Sequence, residues 1–170
     1  MHTSIVIEAM LVYATQKVRI FTENLAAEVY GRSELLQALE QTLRRNIIIE
    51  VLTQEQPTNQ EFTGIIQKDA GKLSMVKVAQ TQYGKNRSEN FAVMDMQAFR
   101  YVPNKEKLRG FASANDRTSA AILDSNFTRL LLQELQKKNE STYNTTALGE
   151  LNTIRVQRCR KQNVEDISTG

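Results

Sequence analysis

Residues 47–52 read Ile47-Ile48-Ile49-Glu50-Val51-Leu52. A nearly continuous run of β-branched apolar residues reads as a strand covered on both faces, since neither face can be given to water. Immediately upstream, Leu35, Leu36, Leu39 and Leu43 recur at helical steps. Ser33 reads as the N-cap of that helix and Glu34 suits the positive end of its dipole. Asn46 suits a left-handed closing position. Further back, residues 17–22 alternate as a strand with Val18 and Ile20 on one face. Residues 3–16 carry Ile7, Met10, Leu11 and Ala14 at helical spacing.

Downstream, residues 57–59 read as a loop and 61–70 as a helix stopped by Gly71. A strand follows over 73–79, then a polar, basic loop over 81–89. Strands over 90–94 and 98–102 flank a turn at Asp95-Met96-Gln97. After a charged loop over 103–109 comes a short strand over 111–114. The longest helix covers 116–138, with Ile122, Leu123, Phe127, Leu130, Leu131 and Leu135 on its stripe and Asn115 or Asp116 as its cap. Strands alternating with helices predict an α/β fold: a mixed, mainly parallel sheet with helices on both faces. Its central strands are expected at 18–22, 47–52, 73–79 and 91–95.

The 170 residues suit one domain, expected over 1–138, with a linker and basic tail over 139–170. No apolar run approaches the roughly 18 residues a membrane span requires, and the N-terminus lacks a secretory pattern. The single cysteine, Cys159, cannot close an internal disulfide, which favours a reducing compartment and a cytoplasmic location. The only histidine is His2. One His and one Cys cannot build a structural zinc site, and a nucleophile–His pair would have to recruit a terminal residue. No metal and no cofactor are expected. Net charge is +3, a mild basic balance compatible with nucleic acid.

The segments 17–22, 33–46, 47–52, 90–95 and 110–115 together resemble one repeat of the phospholipase D superfamily. Active members carry a His, a Lys two residues later and an Asp five residues after that, then a Gly-Ser-x-Asn-like segment. Asp95 ends the run Phe91-Ala92-Val93-Met94-Asp95 as the family Asp does, and Ser113-Ala114-Asn115 looks like the downstream Ser-x-Asn. Counting back from Asp95 puts Ser88 at the family His and Asn90 at the family Lys. The family reaction runs through a phosphohistidine, with Lys and Asn stabilising the non-bridging oxygens. The resemblance therefore implies a domain that has lost its catalytic pair.

Local readings stand beside the family ones. Asp95 in a strand-to-strand turn also supplies turn hydrogen bonds, and Asn115 and Asp116 also read as helix caps. Ser88 and Asn90 also read as ordinary loop-to-strand polar residues, and Phe91, Phe99 and Phe111 as core. The basic residues Lys85, Arg87, Arg155, Arg158, Arg160 and Lys161 are the candidates for phosphate contacts, or for a solvated loop and tail. The resemblance implies an inactive binding or scaffold subunit of a bacterial multi-protein assembly, in anti-phage defence or nucleic-acid processing. Its expected partners are a protein, a second copy of itself through the face of the old site, or nucleic acid held by phosphate contacts. A second reading is an active phosphodiesterase using Asp95, Asp116 and Glu89 with a metal. A third is a small regulatory or immunity protein for one enzyme.

Overall fold

The computed structural model describes residues 2–70, 76–81, 87–106 and 109–137. In chain order the elements are α1 (His2–Tyr13), β1 (Lys17–Thr22), α2 (Ala27–Tyr30), α3 (Ser33–Arg44), β2 (Ile48–Thr53), α4 (Gln60–Ala70), β3 (Val76–Gln80), β4 (Asn90–Met94), β5 (Ala98–Val102) and β6 (Phe111–Ser113). A last helix, α5, covers residues 117–137. Residues Met1–Glu134 form one compact unit. The tail over 139–170, with its four basic candidates, lies outside the described residues, as does Lys85.

The strands form one six-stranded sheet in the order β3-β2-β1-β4-β5-β6. β2 pairs in parallel with β1 and β3, whereas β4 runs antiparallel to β1 and β5, and β6 antiparallel to β5. β1, β2, β3 and β5 thus point one way and β4 and β6 the other. The expected mixed α/β sheet is present. Its parallel part is the crossover-linked half, β1 to β3, and its antiparallel part is the hairpin half, as connection length dictates. One expectation is corrected: the strand expected at 73–79 is not central. As β3 it forms an edge of the sheet, and β1 and β4 hold the middle. An apolar run specifies burial of a strand's faces, not its rank in the sheet.

Helices cover both faces. On one, α1, α3 and α4 bring Ile7, Leu11, Leu35, Leu39 and Phe62 onto Val18, Ile20, Ile49 and Val51. On the other, α5 brings Leu123, Phe127 and Leu130 onto Phe21, Leu52, Phe91, Val93 and Phe99. Phe21, Phe62 and Phe127 are fully buried. Each contributes up to about 3 kcal/mol of transfer free energy.

The helix ends differ in detail from expectation. Ser33 is the first residue of α3 and not its cap; Arg32 holds the cap position with no side-chain bond, and Ser33 Oγ donates to Glu34 Oε2 at 3.3 Å. Asn46 does take the left-handed conformation, at φ 61°. Of the two candidate caps of α5, Asp116 serves: Ser119 N donates to its Oδ1 at 3.0 Å and Ser119 Oγ to its Oδ2 at 2.7 Å. The guanidinium of Arg45 reaches back to α1, donating to the carbonyls of Leu11 (2.6 Å) and Ala14 (3.1 Å). It thereby satisfies acceptors that a helix C-terminus leaves open.

Candidate functional site

The carboxyl ends of β1 and β2 meet the start of β4 and the end of β5 at one end of the sheet. Open α/β sheets bind ligands in this position, because side chains and backbone groups from several strand ends converge there. The strand ends are stitched by Gln54 N donating to Thr22 O (3.0 Å) and Thr81 N donating to Thr53 O (2.8 Å). Gln54 is fully buried and donates through Nε2 to Glu89 O at 3.2 Å. Its Oε1 accepts from Lys105 Nζ at 3.4 Å, and that ammonium also pairs with Glu23 at 2.5 Å. Four side-chain atoms here or beside it are buried without a hydrogen-bond partner among the described residues: Thr53 Oγ1, Thr81 Oγ1, Asn59 Nδ2 and Asn90 Oδ1. Such atoms are uncommon in native interiors, and a cluster of them marks a polar site.

Two of the five motif positions belong to this end. Asn90 begins β4, opposite Val102. Ser88 precedes it; its Oγ donates to Pro103 O at 3.1 Å, and its carbonyl accepts from Lys105 N at 2.7 Å. The other three lie at the opposite end of the sheet. At about 3.3 Å per residue, β4 carries Asp95 roughly 16 Å from Asn90. β6 pairs Ser113 with Phe99, so it too runs toward the Asp95 end, and Asp116 N donates to Gln97 O there at 3.0 Å. Ser113 and Asn115 therefore do not join Ser88 and Asn90. Ser113 Oγ accepts locally from Asn115 N at 3.4 Å. The order along the chain resembles the family's, but the return direction of β6 places the Ser-x-Asn at the opposite end of the sheet from Ser88 and Asn90.

Asp95 closes a hairpin turn. Asp95 and Met96 have φ of 52° and 51°, and Gln97 N donates to Met94 O at 3.0 Å. Positive φ at both central residues marks a type I′ turn, set here in a three-residue connection because Met94 pairs with Ala98. Its carboxylate accepts from Thr15 N (2.8 Å), Thr15 Oγ1 (2.9 Å), Gln16 N (3.0 Å) and Lys17 N (2.7 Å). Partial burial works to raise the Asp95 carboxyl, but these donors outweigh it and hold it below the ordinary carboxylate value. Both oxygens are committed to the α1–β1 connection. Glu89 lies before β4, at the other end from Asp95 and Asp116, so the three acids of the metal-dependent reading do not converge.

Of the basic candidates, Arg87 is described. Its Nε pairs with Glu89 Oε1 at 2.6 Å, so a phosphate would compete with a carboxylate for it. Arg87 and Glu89 edge a cavity of about 290 Å³ that Phe91, Phe99, Tyr101 and Phe111 line between the sheet and α5. Phe91 and Phe99 are core, as expected, but Phe111 is 59% exposed, because β6 is an edge strand. It packs edge-on to Phe99, with ring centroids 5.9 Å apart.

The fold is that of the phospholipase D class. The chain is similar to Nuc from Salmonella typhimurium, a phospholipase D family member, with a TM-score of 0.53, 11% identity, and 76% of this chain and 86% of that chain covered. It is similar to NucT from Helicobacter pylori, with a TM-score of 0.54, 13% identity, and 76% and 87% covered. It is also similar to TrmBL2, an archaeal chromatin protein whose structure shows a novel mode of DNA binding. There the TM-score is 0.57 and identity 9%, over 78% of this chain and 49% of that one. The chain itself belongs to the family described as Domain of unknown function (DUF7931), which matches residues 2–136. No curated protein matches it. No helix among the described residues is long and apolar enough to cross a membrane.

Proposed function

We propose that the chain is a catalytically inactive phospholipase D-like domain that works by binding. In this reading it is a cytoplasmic subunit of a bacterial multi-protein assembly in anti-phage defence or nucleic-acid processing. The observation that carries the reading is the state of the old catalytic end. Ser88 stands where the family has its nucleophilic His, and its hydroxyl is spent on the Pro103 carbonyl. Asn90 stands where the family has its Lys, without the charge that would stabilise a phosphorane-like transition state. The DNA-binding description of one structural neighbour favours nucleic acid as a partner, held through phosphates by Arg87, Lys85 and the basic tail. A second copy or a protein partner would cover the face of the old site.

Purified protein is expected to hydrolyse neither bis(p-nitrophenyl) phosphate nor single- or double-stranded DNA, while retarding DNA in gel shifts at low salt. Affinity for duplex should fall with a logarithmic slope of about 0.9 per phosphate neutralised. Turnover by the wild type that disappears in His2→Ala would overturn the inactive reading. Absence of retardation at low salt would remove nucleic acid from it.

A further inference from the structure

Arg100 lies on β5 between Phe99 and Tyr101, whose rings face α5, so its own side chain points to the opposite, α1 side of the sheet. The residue is 8% exposed. Among the described residues its hydrogen-bond partner is Thr3, whose Oγ1 accepts from Nη2 at 2.5 Å, and no carboxylate there lies within 4.0 Å of the guanidinium. A guanidinium presents five donors, and a buried cation without an anion is costly. The other buried arginine among the described residues, Arg19, settles that cost with a carboxylate on each side.

Beside Arg100 is a cavity of about 90 Å³, lined also by Thr3, Thr22, Asn24, Tyr30, Asn90 and the Glu23–Lys105 pair. Glu23 is neutralised by Lys105, so the lining carries one uncompensated positive charge, on Arg100. Asn90 also lines this cavity, but its unpartnered buried atom is Oδ1, an acceptor, which cannot ligate an anion; the charged anchor is the Arg100 fork alone. Burial pulls the Arg100 guanidinium below its ordinary value, with the Tyr30 phenol acting the other way. It also pushes the Tyr30 phenol up, against smaller opposing effects of Thr22 and Arg100. A neutral phenol and a charged fork face one small space.

We propose that this cavity is a binding site for a single small oxyanion, a phosphate or carboxylate group, with Arg100 as its charged anchor. The size suits one such group and not a nucleotide. α1, α2 and β5 build the site, and Asn90 is its sole motif position; it goes beyond the nucleic-acid reading and stands or falls separately from it.

Thermal unfolding of the whole chain, titrated with inorganic phosphate or acetate against chloride at matched ionic strength, tests the site. One of the two oxyanions should raise the midpoint saturably by several degrees, as a ligand of the folded state does; which one does so identifies the group. Arg100→Met should abolish that rise while leaving the anion-free midpoint unchanged or higher, since it removes an uncompensated charge. Arg100→Lys keeps the charge without the fork and should weaken binding at least tenfold; it carries the test if Arg100→Met fails to fold. A wild type indifferent to both oxyanions, or an equal rise in wild type and the Arg100 variants, overturns the proposal.

Discussion

Arg19→Met is expected to lower the stability of the domain by about 3–5 kcal/mol, because it strands the buried Asp124 carboxylate and the largely buried Glu50 carboxylate. Arg19 sits on β1, on the face that α5 covers, and is 8% exposed. Its Nε meets Glu50 Oε2 at 2.7 Å and its Nη1 meets Asp124 Oδ2 at 2.8 Å. Nη1 also donates to Thr128 Oγ1 at 2.8 Å, and the guanidinium lies 5.1 Å from the centre of the Phe127 ring. Two neighbouring strands and one helix are therefore joined at one charge. Lys17, 3.9 Å from Asp124 and more exposed, offsets little of the loss. Removing all three charges, as Arg19→Met with Glu50→Met and Asp124→Leu, should cost much less than the single change, since no ion is left unpaired. Urea unfolding followed by circular dichroism measures both. A single variant within about 1 kcal/mol of wild type would show that water, not Arg19, satisfies these carboxylates.

The same residue marks where the sequence stops being legible. Lys17-Val18-Arg19-Ile20-Phe21-Thr22 alternates well enough to reveal a strand, and alternation assigns Val18 and Ile20 to the core. It equally assigns Arg19 to water. Only the return of α5 over that face, more than a hundred residues later, buries it; Asp124 between the apolar positions of that helix was the available hint. Strands β1, β2, β4 and β5 and the mixed sheet could be read from local patterns, because burial of strand faces is written in alternation and β-branching. Helix α2, with four residues, is too short to show a period. The edge position of β3 depends on which strand pairs with which, and no local pattern carries that. Chain spacing put Ser88 and Asn90 near each other, and the structure places both at the carboxyl end of β1 and β2. That Ser113 and Asn115 lie at the opposite end of the sheet could not be read, because the order of segments does not encode the direction in which β6 returns. Arg100 was invisible for the reason that Arg19 was.

Asp95→Asn is expected to cost about 2 kcal/mol and to do nothing to chemistry on a phosphodiester. Asn keeps the size of the side chain and tolerates the left-handed conformation that Asp95 adopts. What it loses is charge, and with it the charge-assisted acceptance of hydrogen bonds from Thr15, Gln16 and Lys17. A turn residue with only local bonds would lose far less, so the magnitude distinguishes a tie between the β4–β5 turn and the α1–β1 connection from simple turn chemistry. The pH dependence carries the same signature. The carboxyl is held below its ordinary value, so its contribution is fully present above the unfolded value of about 3.9 and is lost as pH falls through the lower folded value. Wild type should therefore lose its advantage over Asp95→Asn on acidification, and the two stability curves should converge at the acid limit. Met96→Gly gives the opposite control: it relieves a left-handed non-glycine residue in the same turn without touching the carboxylate. That change should stabilise by about 0.5–1 kcal/mol at every pH. If Asp95→Asn is instead indistinguishable from wild type at neutral pH, the four hydrogen bonds are not holding the two ends of the chain segment together, and the functional reading of Asp95 regains its place.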